Sequence, residues 1–303
     1  MTSAERLGVL GVGRMGLPVC ARLVTAGFSV TAFDIRPQVR AAVEAAGAIW
    51  APDVATLAAS VDIVITVLPG APELEQAMSG ANGGLRGMAA GSCWLDLTSN
   101  DPRVAHKLAA LANADSIVSV SAPMGGGVTA ATSGTLTFFV GGAASAIDRV
   151  RPVFAALGAP DAVRVVGEDV GAAHTAKLLA NLLWFGHVAA TTEALLLGQS
   201  LGIDLQTLRA ALGESAGGST FMDRHLDHLL AGDYLQSFGL DRCVDELEIV
   251  TSLAAEKGVP FELSSLVTRL HEEALARFGP VNGELLVAKL LEERAGRQLR
   301  ACG

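Results

Sequence analysis

Positive charge is in short supply in this 303-residue sequence. Lys and Arg together number 22 against 31 Asp and Glu, giving a formal net charge of -9 and a pI near 5.2. Nothing basic is available to replace the counterions of a phosphate backbone, which argues against nucleic acid as a partner. Cysteine is sparse too: Cys20, Cys93, Cys243 and Cys302 are scattered, with no CxxC spacing. That suits a reducing compartment and excludes a disulfide framework or a zinc site, so no metal is expected. An uninterrupted apolar run is also missing, although mean hydropathy is +0.43. In the most apolar stretch, Leu178–Gly198, the side chains of Asn181, His187 and Glu193 intervene. A spanning helix needs about 20 mainly apolar residues, so this stretch reads as a helix buried between domains or subunits, with no membrane partner. Arg6 alone precedes Leu7–Val12, and Gly11 and Gly13 break that run, which makes a poor signal peptide. The expected location is cytoplasmic. What is abundant is hydrophobic residues, at 50%, enough for a large core in a chain whose length favours two domains.

The first half alternates short β-branched runs with Ala- and Leu-rich helical stretches. Leu7–Val12, Ser29–Phe33, Val61–Leu68, Ser92–Leu97, Ser116–Ser121, Thr135–Val140 and Val163–Val166 read as strands. Met15–Thr25, Pro37–Ala46, Pro72–Ser79, Pro102–Asn113 and Ala144–Leu157 read as helices. Strands that run apolar without alternation are covered on both faces, which predicts a parallel α/β sheet. After Gly167 only helical segments follow: Val170–Ser200, Asp204–Glu214, Met222–Leu230, Asp241–Lys257, Glu262–Phe278 and Gly283–Gly296. Strands followed by helices suggest separate domains. The expected division is 1–166 and 167–303, with the first long helix as a spine and Gly213–Thr220 as a loop.

Gly11-Val12-Gly13-Arg14-Met15-Gly16 is GxGxxG between a strand and a helix. The glycines permit a tight turn and close approach of the backbone to a pyrophosphate, while the helix N-terminus supplies N–H donors. Asp34 ends the next strand about 20 residues on, where its carboxylate can bind the ribose hydroxyls of a dinucleotide. That favours NAD; Arg36, two residues later, could instead meet the 2′-phosphate of NADP. Lys177 stands in the apolar stretch Ala172–Leu183 with Asn181 at i+4, on one helix face. A cation there is paired, solvated or working. Burial lowers a lysine pKa toward the range needed for proton transfer, but a snorkelling lysine fits the spacing equally well. His174, three residues earlier, reads as a structural hydrogen-bonder. The pairs Asp245/Glu246 and Glu292/Glu293 read as solvated helix faces.

These motifs, in this order, resemble the β-hydroxyacid dehydrogenase family, which includes 3-hydroxyisobutyrate dehydrogenase. Gly11–Gly16 with Leu17 and Pro18 matches its GxGxMGxP opening. Asp96-Leu97-Thr98-Ser99-Asn100-Asp101-Pro102 looks like its DxSTxxP segment, and Ser121–Gly127 like its DAPVSGG loop. Gly134-Thr135-Leu136 with Gly141-Gly142 resembles its GTL…GG, and Gly171, Lys177 and Asn181 its GxGxxxKxxxN helix. The resemblance implies a Rossmann dinucleotide-binding domain joined by a long helix to an all-α C-terminal domain, in a homodimer or homotetramer. It implies NAD as cofactor, with NADP possible, held by Gly11, Gly13, Arg14, Met15, Gly16, Asp34 and Arg36. Leu68, Pro69 and Thr98 would line the nicotinamide side. Lys177 would be the general acid/base, Asn181 would orient it and the substrate, and Gly125, Gly126, Gly127 and Phe238 would complete the substrate site.

The family's loop serine is here Gly125, the second glycine of its helix motif is Ala173, and Asp245 stands where its KDL motif has a lysine. The expected activity is NAD-dependent hydride transfer on a small β-hydroxy acid or its semialdehyde. Alternatives are imine reduction on the same fold, since Asp245 could attract an iminium, and a non-catalytic dinucleotide-binding scaffold. Oxidative decarboxylation of a sugar acid fits less well, because the extra C-terminal helices of 6-phosphogluconate dehydrogenase are missing.

Overall fold

A computed structural model describes residues 5–235 and 238–300; Cys302 lies outside them. The strands are β1 Leu7–Leu10, β2 Val30–Phe33, β3 Ile49–Trp50, β4 Ile63–Thr66, β5 Cys93–Asp96, β6 Val118–Ser121, β7 Met124–Gly125, β8 Leu136–Gly141 and β9 Gly158–Gly167. They form one sheet in the order β3-β2-β1-β4-β5-β6-β8-β7, with β9 beside β8. β1, β4 and β5 are buried at every position. Their side chains alternate between two cores: Val9, Ile65 and Leu95 pack on one face, Leu10, Val64 and Trp94 on the other. Both faces are thus covered by helices, as the continuous apolar runs require.

The sheet is not parallel throughout. β6 and β7 each pair antiparallel with β8. The helix between β7 and β8, Gly127–Ser133, has seven residues and so covers only about 10 Å. It is too short to carry the chain back for a parallel crossover, so β8 enters in the opposite sense. The two-residue strands β3 and β7 and the short helices Val54–Ala59, Gly84–Gly87 and Gly127–Ser133 add to the expected elements.

The helix Val170–Ser200 has 31 residues. Asp169 begins it by accepting the Gly171 N–H at 2.9 Å, and His106 Nε2 lies 2.5 Å from the same carboxylate oxygen. A Cβ on Gly171 would sit 2.4 Å from that ring nitrogen, so this position admits only glycine while His106 stays in place. Contacts divide the chain into two compact units at Lys177/Leu178.

The second unit is helical: the rest of the long helix with Leu205–Gly213, Thr220–Arg224, Leu226–Leu230, Leu240–Lys257, Glu262–Phe278 and Leu286–Ala295. Its core gathers Val188, Leu195, Phe221, Leu226, Leu229, Leu285 and Leu299. The expected helix Met222–Leu230 is two short ones, because His225 leaves helical geometry at φ -129°. The helix face carrying Leu179, Leu183 and Leu197, continued by Leu201, is open to solvent, with Leu201 73% exposed. Among the described residues no helix is long and apolar enough to cross a membrane.

Two carboxylates expected on solvated faces are buried. Glu246 is 7% exposed and Glu292 2%, whereas Asp245 and Glu293 are open. Successive helix residues diverge by about 100°, so one of each pair turns inward. Glu292 there accepts from the Tyr234 hydroxyl at 2.7 Å, the Leu299 N–H at 2.7 Å and Arg300 at 2.8 Å, clamping the last described residues.

Candidate active site

Gly11–Gly16 leaves the end of β1 as a turn that side chains could not form. Gly11 has φ +90°, and a Cβ on it would meet the Val67 carbonyl at 2.3 Å. A Cβ on Gly16 would be 1.9 Å from the Gly11 carbonyl. The following helix, Gly16–Thr25, has no side-chain cap at Met15 and no acid in its first turn. Its positive end therefore suits a phosphate anion, and the residues present fit a dinucleotide.

Asp34, just after β2, is buried beside this turn. It accepts from the Val12 N–H at 3.0 Å and the Arg36 N–H at 2.9 Å, and takes a bidentate pair from the Arg36 guanidinium at 2.9 Å. Burial alone would raise its pKa; the Arg36 side chain and the two backbone donors outweigh that and hold the carboxyl below its ordinary range. The guanidinium also hangs over Gly13, 3.2 Å from where a Cβ would be. Asp34 and Arg36, which the sequence offers as rival ribose and phosphate contacts, are thus joined to each other.

At the same end of the sheet Leu10, Thr66, Asp96 and Ser121 lie in register on β1, β4, β5 and β6. Asp96 Oδ1 accepts from the Thr66 hydroxyl at 2.8 Å and the Thr98 N–H at 3.0 Å. Trp94 Nε1 donates to Thr66 at 3.0 Å, and the Thr98 hydroxyl accepts the Leu68 N–H at 3.1 Å. Gly11, Leu68 and Thr98 are therefore brought together, with Pro69 exposed next to them.

His174 Nε2 reaches Asp96 Oδ2 at 3.5 Å, with both side chains buried. This docks the first turns of the long helix at the end of β5, and the half-buried Lys177 follows one turn later. In the helical unit Asn181 Nδ2 donates to Glu246 Oε2 at 2.5 Å. Phe238 packs with Leu178, Leu182 and Phe185. Glu246, expected with Asp245 on a solvated face, is instead buried against Asn181, a partner that no local spacing announces. No group of three or more potential ligands for a metal ion occurs among the described residues.

The model for the NAD binding domain of 6-phosphogluconate dehydrogenase matches residues 6–168, and that for the NAD-binding of NADP-dependent 3-hydroxyisobutyrate dehydrogenase matches residues 171–291. A curated relative, 2-(hydroxymethyl)glutarate dehydrogenase of Eubacterium barkeri, is 32% identical, covering 90% of this chain and 90% of its own. The chain belongs to the β-hydroxyacid dehydrogenase family. It is an NAD(P)-dependent dehydrogenase. A solved 3-hydroxyisobutyrate dehydrogenase from Salmonella typhimurium superposes with a TM-score of 0.82 at 26% identity, covering 94% of this chain and 99% of that one. An imine reductase from Myxococcus stipitatus, at 20% identity, TM-score 0.65 and coverage of 95% and 99%, shares the fold alone.

The departures from the family's motifs have local causes. Gly125 pairs with Thr137 across β7 and β8, and a Cβ there would lie 2.5 Å from the Thr137 hydroxyl. Gly126 and Gly127 continue the loop at φ +105° and +64°. Ala173 is buried against Gly141, whose own Cβ would strike the Asp169 carbonyl at 2.3 Å; the missing side chain at 141 makes room for the added methyl at 173. Asp245, in place of the family's lysine, pairs with Arg242 at 3.1 Å. The reversed charge is therefore balanced one turn away on the same helix.

Proposed function

We propose that the enzyme oxidises the primary alcohol of a 2-substituted 3-hydroxypropanoate, or reduces the matching semialdehyde, with Lys177 as the proton carrier. The two dehydrogenases named above are titled for 2-(hydroxymethyl)glutarate and 3-hydroxyisobutyrate, which share a hydroxymethyl group on the carbon bearing the carboxylate. The observation that carries this reading is the docking of His174 on Asp96. It supports placing Lys177 at the sheet end where Gly11, Leu68 and Thr98 converge.

Gly11, Gly13, Arg14, Met15 and Gly16 would hold the pyrophosphate, Asp34 and Arg36 the adenosine ribose, and Leu68, Pro69 and Thr98 the nicotinamide. When bound, the nicotinamide supplies the hydride acceptor or donor. In oxidation the neutral Lys177 amine takes the hydroxyl proton; in reduction its ammonium gives that proton back to the carbonyl oxygen. Asn181, its amide set by Glu246, orients the substrate oxygen. The N–H groups of Gly126 and Gly127 bind the carboxylate, with Gly125 beside them, and Phe238 borders the variable substituent. The shared engagement of Asp34 with Arg36 supports use of both cofactors, with NAD preferred. The division into 1–166 for cofactor and 167–303 for substrate and assembly follows the same reading, as does a cytoplasmic location.

The solvent-open leucines at 179, 183, 197 and 201 support a homodimer or homotetramer in which a second copy covers this face. Leu183→Lys should lower the mass found by light scattering.

The test is Lys177→Ala against 3-hydroxyisobutyrate, 2-(hydroxymethyl)glutarate and L-serine, with cyclic imines as the competing class. Turnover should fall about 10²–10⁴-fold, while the rise in melting temperature with NAD stays unchanged. Wild-type turnover in that variant refutes the role of Lys177, and turnover of imines alone refutes the substrate class.

A further inference from the structure

Asp96 and His174 are a buried acid and a buried base facing each other where no reaction requires them. Each is at most 1% exposed. Asp96 Oδ2 and both ring nitrogens of His174 make no hydrogen bond among the described residues, while Asp96 Oδ1 is engaged by Thr66 and Thr98. Their 3.5 Å approach is an ion-pair distance that is long for a hydrogen bond. A buried polar group without a partner is costly, and here two such groups sit in reach of each other. Through Asp96, His174 is connected to Thr98 and Leu68 on one side. Along its own helix it is one turn from Lys177.

We propose that Asp96 and His174 act as a positioning pair that shares a proton, anchoring the Lys177 turn to the end of β5 and limiting turnover on the acid side. This rests on the reading of Lys177 given above. At neutral pH Asp96 is a carboxylate, and His174 is neutral with its ring proton on Nε2, pointing at Oδ2. On acidification one proton from solvent binds Oδ2; the ring proton moves to Nδ1, and Oδ2–H then points at Nε2. The Nε2–H to Oδ2 contact is thereby replaced by Oδ2–H to Nε2, which resets the ring and the helix turn that carries it.

Burial pushes Asp96 up to about 6, against the lowering by the Thr66 and Thr98 hydrogen bonds and by the nearby Asn100 amide. Burial pushes His174 down to about 3; Asp101, capping the helix Pro102–Ala114, opposes this, and His106 on that helix adds to it. Among the described residues, His106 is itself paired with Asp169, and Lys177 lies one turn on along the helix of His174. Uptake of the added proton therefore falls on the acid rather than the imidazole.

The test measures kcat and KM across pH about 5 to 9 in the reducing direction, with NADH and the semialdehyde of whichever alcohol the wild type turns over best, so that Lys177 acts as its ammonium and lends no acid limb of its own. The wild type should lose kcat on an acid limb near 6, with the cofactor KM level. His174→Gln keeps an N–H for Oδ2 and should keep the limb. His174→Leu leaves the carboxylate against hydrocarbon, and should move the limb up by about one pH unit and lower kcat about 10-fold. Asp96→Asn, which retains the Thr66 and Thr98 contacts, should abolish the limb, and it decides the matter if the leucine variant does not fold. A limb that stays in place in His174→Leu or survives in Asp96→Asn overturns the pair, as does an equal loss in His174→Gln and His174→Leu. Lys177→Ala, run alongside, separates the premises: wild-type turnover there removes the reading of Lys177 and the anchoring role with it. Lost turnover there with an unmoved limb in the other variants overturns the pair alone.

Discussion

Replacing Arg36 with alanine tests the adenosine site proposed at Asp34 and Arg36. In the wild type the guanidinium holds both oxygens of Asp34 at 2.9 Å and lies over Gly13. The Arg36 side chain is 49% exposed, so its loss costs the fold little, about 0–1 kcal/mol. Asp34 also keeps the N–H groups of Val12 and residue 36. Binding should respond more. A charged hydrogen bond to the 2′-phosphate of NADP is worth about 1.5–3 kcal/mol, so its dissociation constant should rise about 10- to 150-fold. NAD has no such phosphate, and Asp34 is released to the ribose diol; its affinity should hold or improve by at most about 5-fold. Calorimetric titration of both dinucleotides against both proteins reads this directly. An equal change for NAD and NADP, or an unchanged NADP constant, refutes the reasoning.

Gly16→Ala puts a methyl 1.9 Å from the Gly11 carbonyl, so the turn must open; the thermal shift given by NAD should vanish while circular dichroism keeps its helical signal. Melting temperature should fall on acidification. His271, held at about 4 chiefly by burial, contributes stability that is present above its ordinary 6.5 and lost as pH falls through 4, about 3 kcal/mol in all. His174 acts in the same sense. Asp96, raised to about 6, destabilises above that value and recovers as pH falls toward 3.8, so it offsets part of the loss. His271→Leu should flatten the profile and Asp96→Asn steepen it, as thermal melts at pH 7 and 4.5 would show. Glu292→Gln removes the charge that holds Arg300 and Tyr234. It should cost about 1–3 kcal/mol, read as a lower urea midpoint.

The spine Val170–Ser200 is legible as a long apolar stretch, and the helix Glu262–Phe278 as a one-sided apolar stripe at helical spacing. The glycine turn is equally plain: its spacing is imposed by backbone clashes that any sequence must obey. β3 and β7 are too short for a two-residue period to register. The antiparallel β8 depends on the length of one connecting helix, which Thr, Ser and Gly around 127–135 disguise as loop. Within the site, Asp34 and Arg36 are each visible as candidates, but their mutual pairing is a matter of side-chain direction. Glu246 and His174 owe their importance to partners 65 and 78 positions away in the chain, at Asn181 and Asp96. Neither spacing is a local signal.

The open row of leucines bears on how the enzyme behaves at the bench. In the proposed dimer or tetramer, area of that kind leaves water only while another copy is bound, so the fraction covered follows mass action rather than the fold of one chain. Working dilutions in the nanomolar range should then uncover it, and activity would fade over minutes in the cuvette although the concentrated stock is stable. Raising the enzyme concentration, and not cooling or added glycerol, should be what restores a linear progress curve.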